Sequence, residues 1–502
     1  MIKVSSPDDI AEQENMIKKT LGSETVLIER AASKLFDTVK ARFSHSARIA
    51  VFAGRGNNGS DALSLAEKLI ADGYCVKIYG FSGPRTQENG KFARRLMENG
   101  AEIIPAARFD GNADLIIDGI IGTGLSRAAE GETAAAIKKI NLCPAQVISI
   151  DIPTGLNAVS GAVTGDAVRA DLTVAFTAVK QGLILGEGPD FAGKILVADI
   201  GVNARACGEI IDEDYASLLP RKKATHKGDY GRVSIIGGCD NMPGAPLMAY
   251  ESAVAATRGG AGLVRLCVGE NEKCAYKARV VEQTLFYLPE CGGYISFDEK
   301  KFKEITEWSD AIVLGPGMGA NPFLREIIGY LCVSYEKTLV LDADALNSLS
   351  RNMHLIENHR CRLVLTPHVG EFARIAPGTE IYDTEALKRF AKKYGCILVL
   401  KSACTIITDG NTLLFNTSGT PAQAKGGSGD VLAGVMGALC AVNFSIKSAA
   451  AACFYLGRSA EKVSRKMQSD VSVTAGDVIV RFKENAADGN FTADDLVIRN
   501  LV

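Results

Sequence analysis

Residues 425–434 read KGGSGDVLAG, and this stretch decides the fold expected for the second half of the chain. Its glycines come immediately before Asp430, and an apolar helical pattern follows. A glycine-rich turn that opens a helix exposes backbone N–H groups, and the helix dipole favours anions there. An aspartate at that position is electrostatically unfavourable unless it acts, for example by taking a proton from an attacking hydroxyl, so the stretch indicates phosphoryl transfer. The alternative is that Asp430 is an ordinary N-cap beside a tight turn.

Short β-rich runs, each followed by a helical pattern, recur throughout the chain. They lie at residues 48–53, 75–79, 114–117, 146–150 and 172–176, and at 232–236, 311–314, 338–341, 362–365 and 396–400. Continuous apolar strands that alternate with helices predict mostly parallel sheets covered on both faces. The fold class is therefore α/β. Because ligands bind beyond the carboxyl ends of such strands, the residues just after each run are the candidates for chemistry.

Length and composition limit the remaining possibilities. A chain of 502 residues is expected to form two or three domains, and a change from acidic to basic sequence around Pro220 predicts a boundary there, giving domains 1–216 and 217–502. The net charge of −2 argues against a nucleic-acid partner. No run approaches membrane-spanning length, and the thirteen cysteines contain no C-x-x-C pair, which predicts a cytoplasmic protein with reduced thiols.

Polar residues in the first half gather at predicted strand ends. Residues 54–59, GRGNNG, formally match a dinucleotide-binding turn, although a purely structural turn is equally compatible with them. Asn58, Asp118 and Thr154 supply hard oxygens suited to an alkali or alkaline-earth cation, and Asp151 is a candidate acid/base group. The alternative is that both aspartates cap helices or turns.

Three segments of the first half resemble the signature segments of a known enzyme family. GRGNNGSDAL, DGIIGTGLSR and DIPTGLNAVSG resemble the signature segments of NAD(P)H-hydrate epimerases, which have a Rossmann-like three-layer α/β/α fold, over about residues 1–215. The resemblance implies that Asn58, Asp118 and Thr154 hold K⁺ and that Asp151 acts at the reacting centre. It also implies the following contacts with the hydrated nucleotide: Asn57, Asn58, Gly59, Ser60, Asp61, Gly122, Thr123, Gly124, Leu125, Ser126, Arg127 and Asp151. The chain departs from the family pattern at Ser60 and Ala62, where glycines are usual, and at Arg30, where asparagine is usual.

The second half offers several more strand-end groups. The glycine loop GPGMG occupies residues 315–319, and ionisable groups follow three other strands: Asp342 and Asp344 after the first, His368 and Glu371 after the second, and Lys401 after the third. Each alone has an ordinary structural explanation, as a helix cap, a loop histidine or a solvated cation. Together they match phosphoryl transfer, in which a protein mainly positions groups and neutralises charge.

HKGDYGRV, GAGLV, GPGMG, DADALN, LTPHVGEFARI and GSGDVLAG together resemble the NAD(P)H-hydrate dehydratases of the ribokinase-like superfamily, over about residues 225–440. The resemblance implies that Gly317, His368 and Asp430 contact the hydrated dinucleotide. It places these residues at the adenine nucleotide: Lys401, Ser402, Ala403, Cys404, Thr405 and Gly429. Ser428 and Ser402 depart from the family's usual threonine and glycine.

A chain that joins both halves resembles the bacterial bifunctional repair enzymes for hydrated nicotinamide cofactors. The resemblance implies interconversion of R- and S-NAD(P)HX, and dehydration of the S form coupled to cleavage of ADP to AMP and phosphate. It implies K⁺ in the first domain, Mg²⁺ in the second, and a homo-oligomer whose partners are NADHX, NADPHX and ADP. Two alternatives remain: a first domain that only binds nucleotide as a regulatory module, and a second domain that phosphorylates a vitamin or sugar alcohol.

Overall fold

The computed structural model describes residues 1–21, 23–124, 128–216, 224–240, 242, 244–488 and 498–501. By their internal contacts they form two compact units, which we call the N-terminal unit (residues 2–209 with 498–501) and the C-terminal unit (residue 1 with 210–488). The domain boundary predicted after residue 216 borders residues 217–223, which lie outside the described part, and it stays a prediction. Along the described parts of the chain, no helix combines the length and apolar character needed to cross a bilayer.

The N-terminal unit is built on a parallel sheet. Its strands are β1 Ile2–Ser5, β2 Arg48–Ala53, β3 Cys75–Gly80, β4 Ile103–Pro105, β5 Leu115–Gly119, β6 Gln146–Ile150, β7 Leu172–Phe176, β8 Val179–Lys180 and β9 Lys194–Ala198, with β22 Ile498–Leu501. Its helices are α1 Pro7–Leu21, α2 Thr25–Lys40, α3 Asn57–Ala71, α4 Gln87–Glu98, α5 Gly131–Leu142 and α6 Gly188–Ala192. The sheet order is β22-β9-β7-β6-β5-β2-β3-β4, all pairs being parallel, and β1 pairs with β8.

Strand β2 shows why these residues form a covered sheet. Ile49 and Val51 enter the apolar core on one face, while Ala50 and Phe52 enter a second core on the other. A strand buried on both faces needs a continuous apolar run, which is what the sequence supplies. The helix after β2 begins at Asn57, so the asparagine pair belongs to its first turn.

The C-terminal unit contains a larger mixed sheet. Its strands are β11 Arg232–Ile236, β12 Leu263–Gly269, β13 Thr284–Leu288, β16 Ala311–Leu314, β17 Thr338–Leu341, β18 Arg362–Leu365, β19 Cys396–Leu400, β20 Thr405–Thr408 and β21 Leu413–Asn416. Two short strands, β14 Glu290–Cys291 and β15 Tyr294–Ile295, pair with each other and form a separate sheet. Strand β10, Gly208–Ile210, lies at the boundary of the units. The order is β13-β12-β11-β16-β17-β18-β19-β20-β21. Pairing is parallel as far as β19 and antiparallel beyond it.

Helices cover this sheet as the α/β prediction requires, and that prediction is confirmed. They are α7 Glu213–Ala216, α8 Ala245–Arg258, α9 Lys273–Lys277, α10 Glu299–Trp308, α11 Leu324–Ser334, α12 Asp344–Leu349, α13 Val369–Ile375, α14 Thr384–Lys393, α15 Ser428–Val442, α16 Ile446–Met467 and α17 Ala475–Asp488. Helix α15 buries Val431, Val435 and Met436, and Gly434 lies so close to the Ser252 carbonyl of α8 that a larger side chain would overlap it. That packing holds α15 close against α8.

Candidate active sites

The glycine turn of the N-terminal unit combines packing with an exposed helix start. A Cβ atom on Gly54 would overlap the carbonyl oxygen of Ile120, and one on Gly59 would overlap that of Gly54, so both glycines are required by close backbone approach. Gly56 has no atom within 4 Å of the corresponding position. Gly56 is also the N-cap of α3, where no side chain caps the helix. The first N–H groups of α3 are therefore available to an anion.

Asp118 organises the neighbouring strand ends. It is fully buried at the end of β5, where its carboxylate accepts hydrogen bonds from Ser149 Oγ at 2.8 Å, Thr154 N at 2.9 Å and Thr154 Oγ1 at 2.7 Å. Burial raises the pKa of Asp118 in spite of these bonds. Asp118 and Thr154, two of the three predicted cation ligands, are therefore in direct contact. The pairing of β5 with β6 places Asp118 opposite Ser149 and so brings the segment after β6 to Asp118.

Asn58, the third predicted ligand, lies next to Gly122: a Cβ atom there would sit 3.4 Å from Asn58 Oδ1. Asn58 is buried, and its Nδ2 has no hydrogen-bond partner in the described parts of the chain. Rotating this amide by half a turn would place Oδ1 in the unsatisfied position, where a cation would bind it. The amide, carboxylate and hydroxyl oxygens of Asn58, Asp118 and Thr154 therefore fit a hard cation such as K⁺.

Asp151 follows β6 directly and has a left-handed backbone, with φ of 67°. Its Oδ1 forms an ion pair with Lys180 Nζ and accepts a 3.1 Å hydrogen bond from Phe176 N. Lys180 is 1 % exposed and donates a further bond of 2.8 Å to Phe176 O. Lys180 is not among the predicted site residues, although a lone cation inside the mostly apolar segment AVKQGLIL was a signal that could have identified it.

Further carboxylates surround this pair. Burial raises the pKa of Asp61, and the negative charges of Asp151, Glu14 and Glu24 act in the same direction. In the described residues the Asp61 carboxyl has neither a hydrogen-bond partner nor an ion-pair partner. Burial and Asp151 likewise raise the pKa of Glu14, on α1. The site thus holds two further carboxyls whose pKa values lie above their ordinary values.

The departures from the family pattern do not crowd the turn. Ser60 is fully buried, and its Oγ donates to Gly56 O at 3.2 Å, so the hydroxyl points into the helix and away from the predicted ligand. Ala62 is fully buried in the core. Arg30 is exposed and donates to the Ile200 carbonyl at 3.2 Å.

The second predicted substrate-binding loop comprises residues 122–127. Gly122 lies next to Asn58, and Thr123 and Gly124 are exposed. Leu125, Ser126 and Arg127 lie outside the described residues.

In the C-terminal unit, α15 starts at a left-handed glycine. Gly427 is the N-cap, with φ of 90°, and no side chain caps the helix. Asp430 is the third helical residue rather than the cap, and it is 7 % exposed. Burial, reinforced by the charge of Asp342, raises the pKa of Asp430 to about 7, against the opposing effect of Lys401. The capping alternative for Asp430 is therefore not what the structure shows.

Lys401 is held by carboxylates other than Asp430. Its Nζ lies 2.7 Å from Asp342 Oδ1 and 3.9 Å from Glu371 Oε2. Thr366 Oγ1 donates to the same Asp342 oxygen at 2.8 Å. Burial alone would lower the pKa of Lys401, but the two carboxylates outweigh it and raise the pKa. A Cβ atom on Gly429 would sit 3.2 Å from Nζ, so the glycine turn reaches this ion pair. Lys401 is thus a buried counter-ion and not a solvated strand-end cation.

His368 caps α13. Its Nδ1 accepts from Gly370 N at 3.0 Å and Glu371 N at 3.3 Å, while Glu371 Oε2 accepts from His368 N at 2.8 Å. Because Nδ1 is an acceptor, the neutral ring carries its proton on Nε2. The His368 side chain is 54 % exposed, and its Nε2 lies 3.5 Å from Glu371 Oε1.

The glycine loop after β16 is tied to the end of β17. Gly319 N donates to Asp344 Oδ2 at 2.7 Å, which places the loop containing Gly317 beside the Asp342–Asp344 segment. Ala343, between the two aspartates, has φ of 48° and ψ of −117°, a conformation that non-glycine residues rarely adopt. Such strain is found where the surroundings fix a functional geometry.

Residues 401–405 form the turn between β19 and β20. Ser402 Oγ donates to the Cys404 carbonyl at 2.5 Å, Cys404 is buried, and Ala403 is exposed. Lys401 N also bonds to Pro367 O at 2.8 Å, which joins this turn to the segment before His368. The structure therefore brings the predicted nucleotide turn, His368, Lys401 and Asp430 to one edge of the sheet.

Comparisons with known proteins agree with this division. Residues 233–481 match the family described as NAD(P)H-hydrate dehydratase, and residues 24–182 match the family described as YjeF-related protein N-terminus. The chain is 32% identical to the bifunctional NAD(P)H-hydrate repair enzyme Nnr of Moorella thermoacetica, over 94% of this chain and 93% of that one. It is also 32% identical to the Escherichia coli protein of the same name, over 91% and 89%.

A crystal structure of an ADP/ATP-dependent NAD(P)H-hydrate dehydratase from Bacillus subtilis, co-crystallised with ATP and Mg²⁺, also aligns. It is 24% identical, covers 57% of this chain and 99% of its own, and has a TM-score of 0.47.

Proposed function

The chain belongs to the family of bifunctional NAD(P)H-hydrate repair enzymes, and we propose that its two units divide the repair of hydrated nicotinamide cofactors between them. The N-terminal unit interconverts the R and S hydrates. The C-terminal unit dehydrates the S hydrate to NAD(P)H with cleavage of ADP to AMP and phosphate. The geometric observation that carries the second assignment is Asp430, a buried carboxyl with a pKa of about 7 at an uncapped helix start.

Dehydration is difficult because hydroxide is a poor leaving group. Asp430 takes the proton of the ring hydroxyl, whose oxygen attacks the terminal phosphoryl group of ADP, and AMP departs. The carbon–oxygen bond of the resulting phosphate ester then breaks with its electron pair leaving on phosphate, and loss of a proton from the adjacent ring carbon restores the double bond. A base with a pKa near 7 suits this step at neutral pH.

Charge neutralisation comes from Lys401 and the free N–H groups of α15. We place the adenine nucleotide at the turn 401–405 and Gly429, and the hydrated ring near Gly317, His368 and Asp430. In the described residues no group of three His, Cys, Asp or Glu side chains fits a metal ion. Mg²⁺ often binds through one or two carboxylates together with substrate phosphates. We therefore propose that Mg²⁺ binds as a complex with the nucleotide, and we assign it no site made of protein ligands alone.

Epimerisation requires a proton donor and acceptor at the carbon that carries the hydroxyl. Protonated hydroxyl leaves as water when the neighbouring ring nitrogen forms a double bond to this carbon, and water returns on the opposite face and loses a proton. We assign this transfer to Asp151, whose Oδ1 forms an ion pair with Lys180. K⁺ held by Asn58, Asp118 and Thr154 would supply positive charge beside the ring and phosphates.

The direct test is product analysis by ³¹P NMR and absorbance at 340 nm. S-hydrate with ADP should give NAD(P)H, AMP and phosphate in equal amounts. A stable phosphorylated vitamin or sugar alcohol, with no NAD(P)H formed from the hydrate, would instead identify the C-terminal unit as a small-molecule kinase. R-to-S conversion no faster than background would contradict the epimerase assignment.

A further inference from the structure

Helix α1 lies outside residues 24–182, which match the N-terminal family, yet Lys18 of this helix is connected to the first turn of α3 through Glu24. Lys18 Nζ, on the last turn of α1, forms an ion pair with Glu24 Oε1 at 2.5 Å. The same Glu24 oxygen accepts a hydrogen bond from Asn57 Nδ2 at 2.9 Å. Lys18 is also 3.9 Å from Glu14, one helical turn earlier. A cation on α1 is thus linked through one carboxylate to the first residue of α3.

We propose that Lys18 and Glu24 are positioning residues for epimerisation, acting through Asn57; the proposal rests on the epimerase function of the N-terminal unit. A carboxylate can only accept hydrogen bonds, so Glu24 fixes the NH₂ end of the Asn57 amide toward itself. The opposite end, Oδ1, is thereby held as an acceptor. Asn57 opens α3 beside the free N–H groups, where the hydrated nucleotide is proposed to bind.

Lys18 has a second effect through charge. Glu14, Glu24, Asp61 and Asp151 act on one another electrostatically, and Lys18 opposes the negative charge felt by both Glu14 and Asp61. Without Lys18, Glu24 loses its ion pair and the site becomes more negative. A dinucleotide carrying phosphates would then bind more weakly. The loss should appear mainly in KM, because neither Lys18 nor Glu24 is placed at the reacting carbon.

The test uses the full chain and measures R-to-S conversion by chiral chromatography without ADP. Lys18→Met and Glu24→Ala should each raise KM by roughly tenfold with a much smaller change in kcat, as expected for a lost charge-assisted hydrogen bond. Lys18→Arg should retain most of the wild-type affinity. Lys19→Met, at an exposed neighbour on the same helix, is the matched control and should behave as wild type. A kcat close to that of wild type shows that the N-terminal unit of each variant remains folded, and ADP-dependent dehydration of pure S-hydrate reports on the C-terminal unit.

A double-mutant cycle identifies the route of the effect. Once Asn57→Ala is present, Glu24→Ala should add little further change in KM, because it acts through the same amide, and Lys18→Met should add only the smaller change that is due to its charge. Additive effects, or wild-type KM in both single variants, would overturn the inference while leaving the epimerase assignment intact. If the wild-type chain itself fails to accelerate R-to-S conversion, the function of the N-terminal unit is wrong and the inference fails with it.

Discussion

Asp151 and Asp430 each lie near a largely buried lysine, but only Asp151 forms an ion pair with its lysine. In the N-terminal unit Lys180 forms its ion pair with Asp151. In the C-terminal unit Lys401 forms its ion pair with Asp342. Asp430 has no such partner among the described residues, and its burial together with the negative charge of Asp342 raises its pKa to about 7. The comparison shows that a lysine near Asp430 does not offset the effect of burial on the pKa of Asp430, because this lysine forms its ion pair with Asp342.

The largest expected effect is on dehydration by Asp430→Asn. The amide keeps the shape of the side chain but cannot accept the proton, so the rate with S-hydrate and ADP should fall by roughly 10³-fold. R-to-S conversion, measured on the same sample, should stay at the wild-type rate and serves as the control. Wild-type dehydration by this variant would remove Asp430 from the mechanism.

The two aspartates should respond to the same substitution with opposite changes in stability. Asp151→Asn leaves the charged Lys180, which is 1 % exposed, without its carboxylate and should destabilise the N-terminal unit by about 3 kcal/mol. Amide hydrogen exchange of β5 and β6 measures this loss. Asp430→Asn removes a carboxyl whose charged form is disfavoured, and should stabilise the C-terminal unit by about 2–4 kcal/mol at pH 8.

The gain from Asp430→Asn has a defined pH window. The folded pKa of Asp430, about 7, lies above the unfolded value near 3.8, so the stability that protonation contributes is complete below pH 4 and is lost as pH rises to 7. The difference between variant and wild type should therefore grow over that interval. Trp308 is the single tryptophan and lies in the C-terminal unit, so its fluorescence during urea unfolding reports this unit alone. Equal stability of the two proteins at pH 8 would contradict the burial argument.

A smaller effect is expected from Asp342→Asn. This substitution removes the charge that raises the pKa of Asp430 and frees Lys401 to approach it, and both changes lower that pKa. On the acid side of the pH profile, the pH at which the dehydration rate falls to half of its maximum should shift lower by about one unit. This shift is expected even if the maximal rate itself falls. Rates of wild type and variant from pH 5 to 9 test this. An unchanged limb would show that Asp342 does not tune Asp430.

The smallest expected effect is that of Ser60→Gly. Ser60 is buried and bonds to Gly56 O, so restoring the glycine usual in the family should change the R-to-S rate by less than about twofold. Asn57→Ala is the matched comparison in the same turn, since its side chain is proposed to face the nucleotide. A large gain in rate from Ser60→Gly would show that the hydroxyl obstructs the ligand.

Sequence patterns predicted the strands and the edge of the sheet where the sites lie, because buried parallel strands are continuous apolar runs. The segment 146–150 is an example, and Asp151 was expected at its end. The ion pairs were not predictable in this way. Lys180 is 29 positions from Asp151, and Lys401 is 59 from Asp342, and neither separation has a periodicity that identifies the partner. The pKa of Asp430 depends on burial and on that pairing, so it required the three-dimensional structure.

The central claim is that one chain repairs both epimers through two separate sites. The most direct measurement follows NADH absorbance after racemic NADHX and ADP are mixed with wild type or with Asp151→Asn. Wild type should convert the whole hydrate in one rapid phase. Asp151→Asn should convert the S half rapidly and the R half only at the background rate of epimerisation. Rapid and complete conversion by Asp151→Asn would contradict the account.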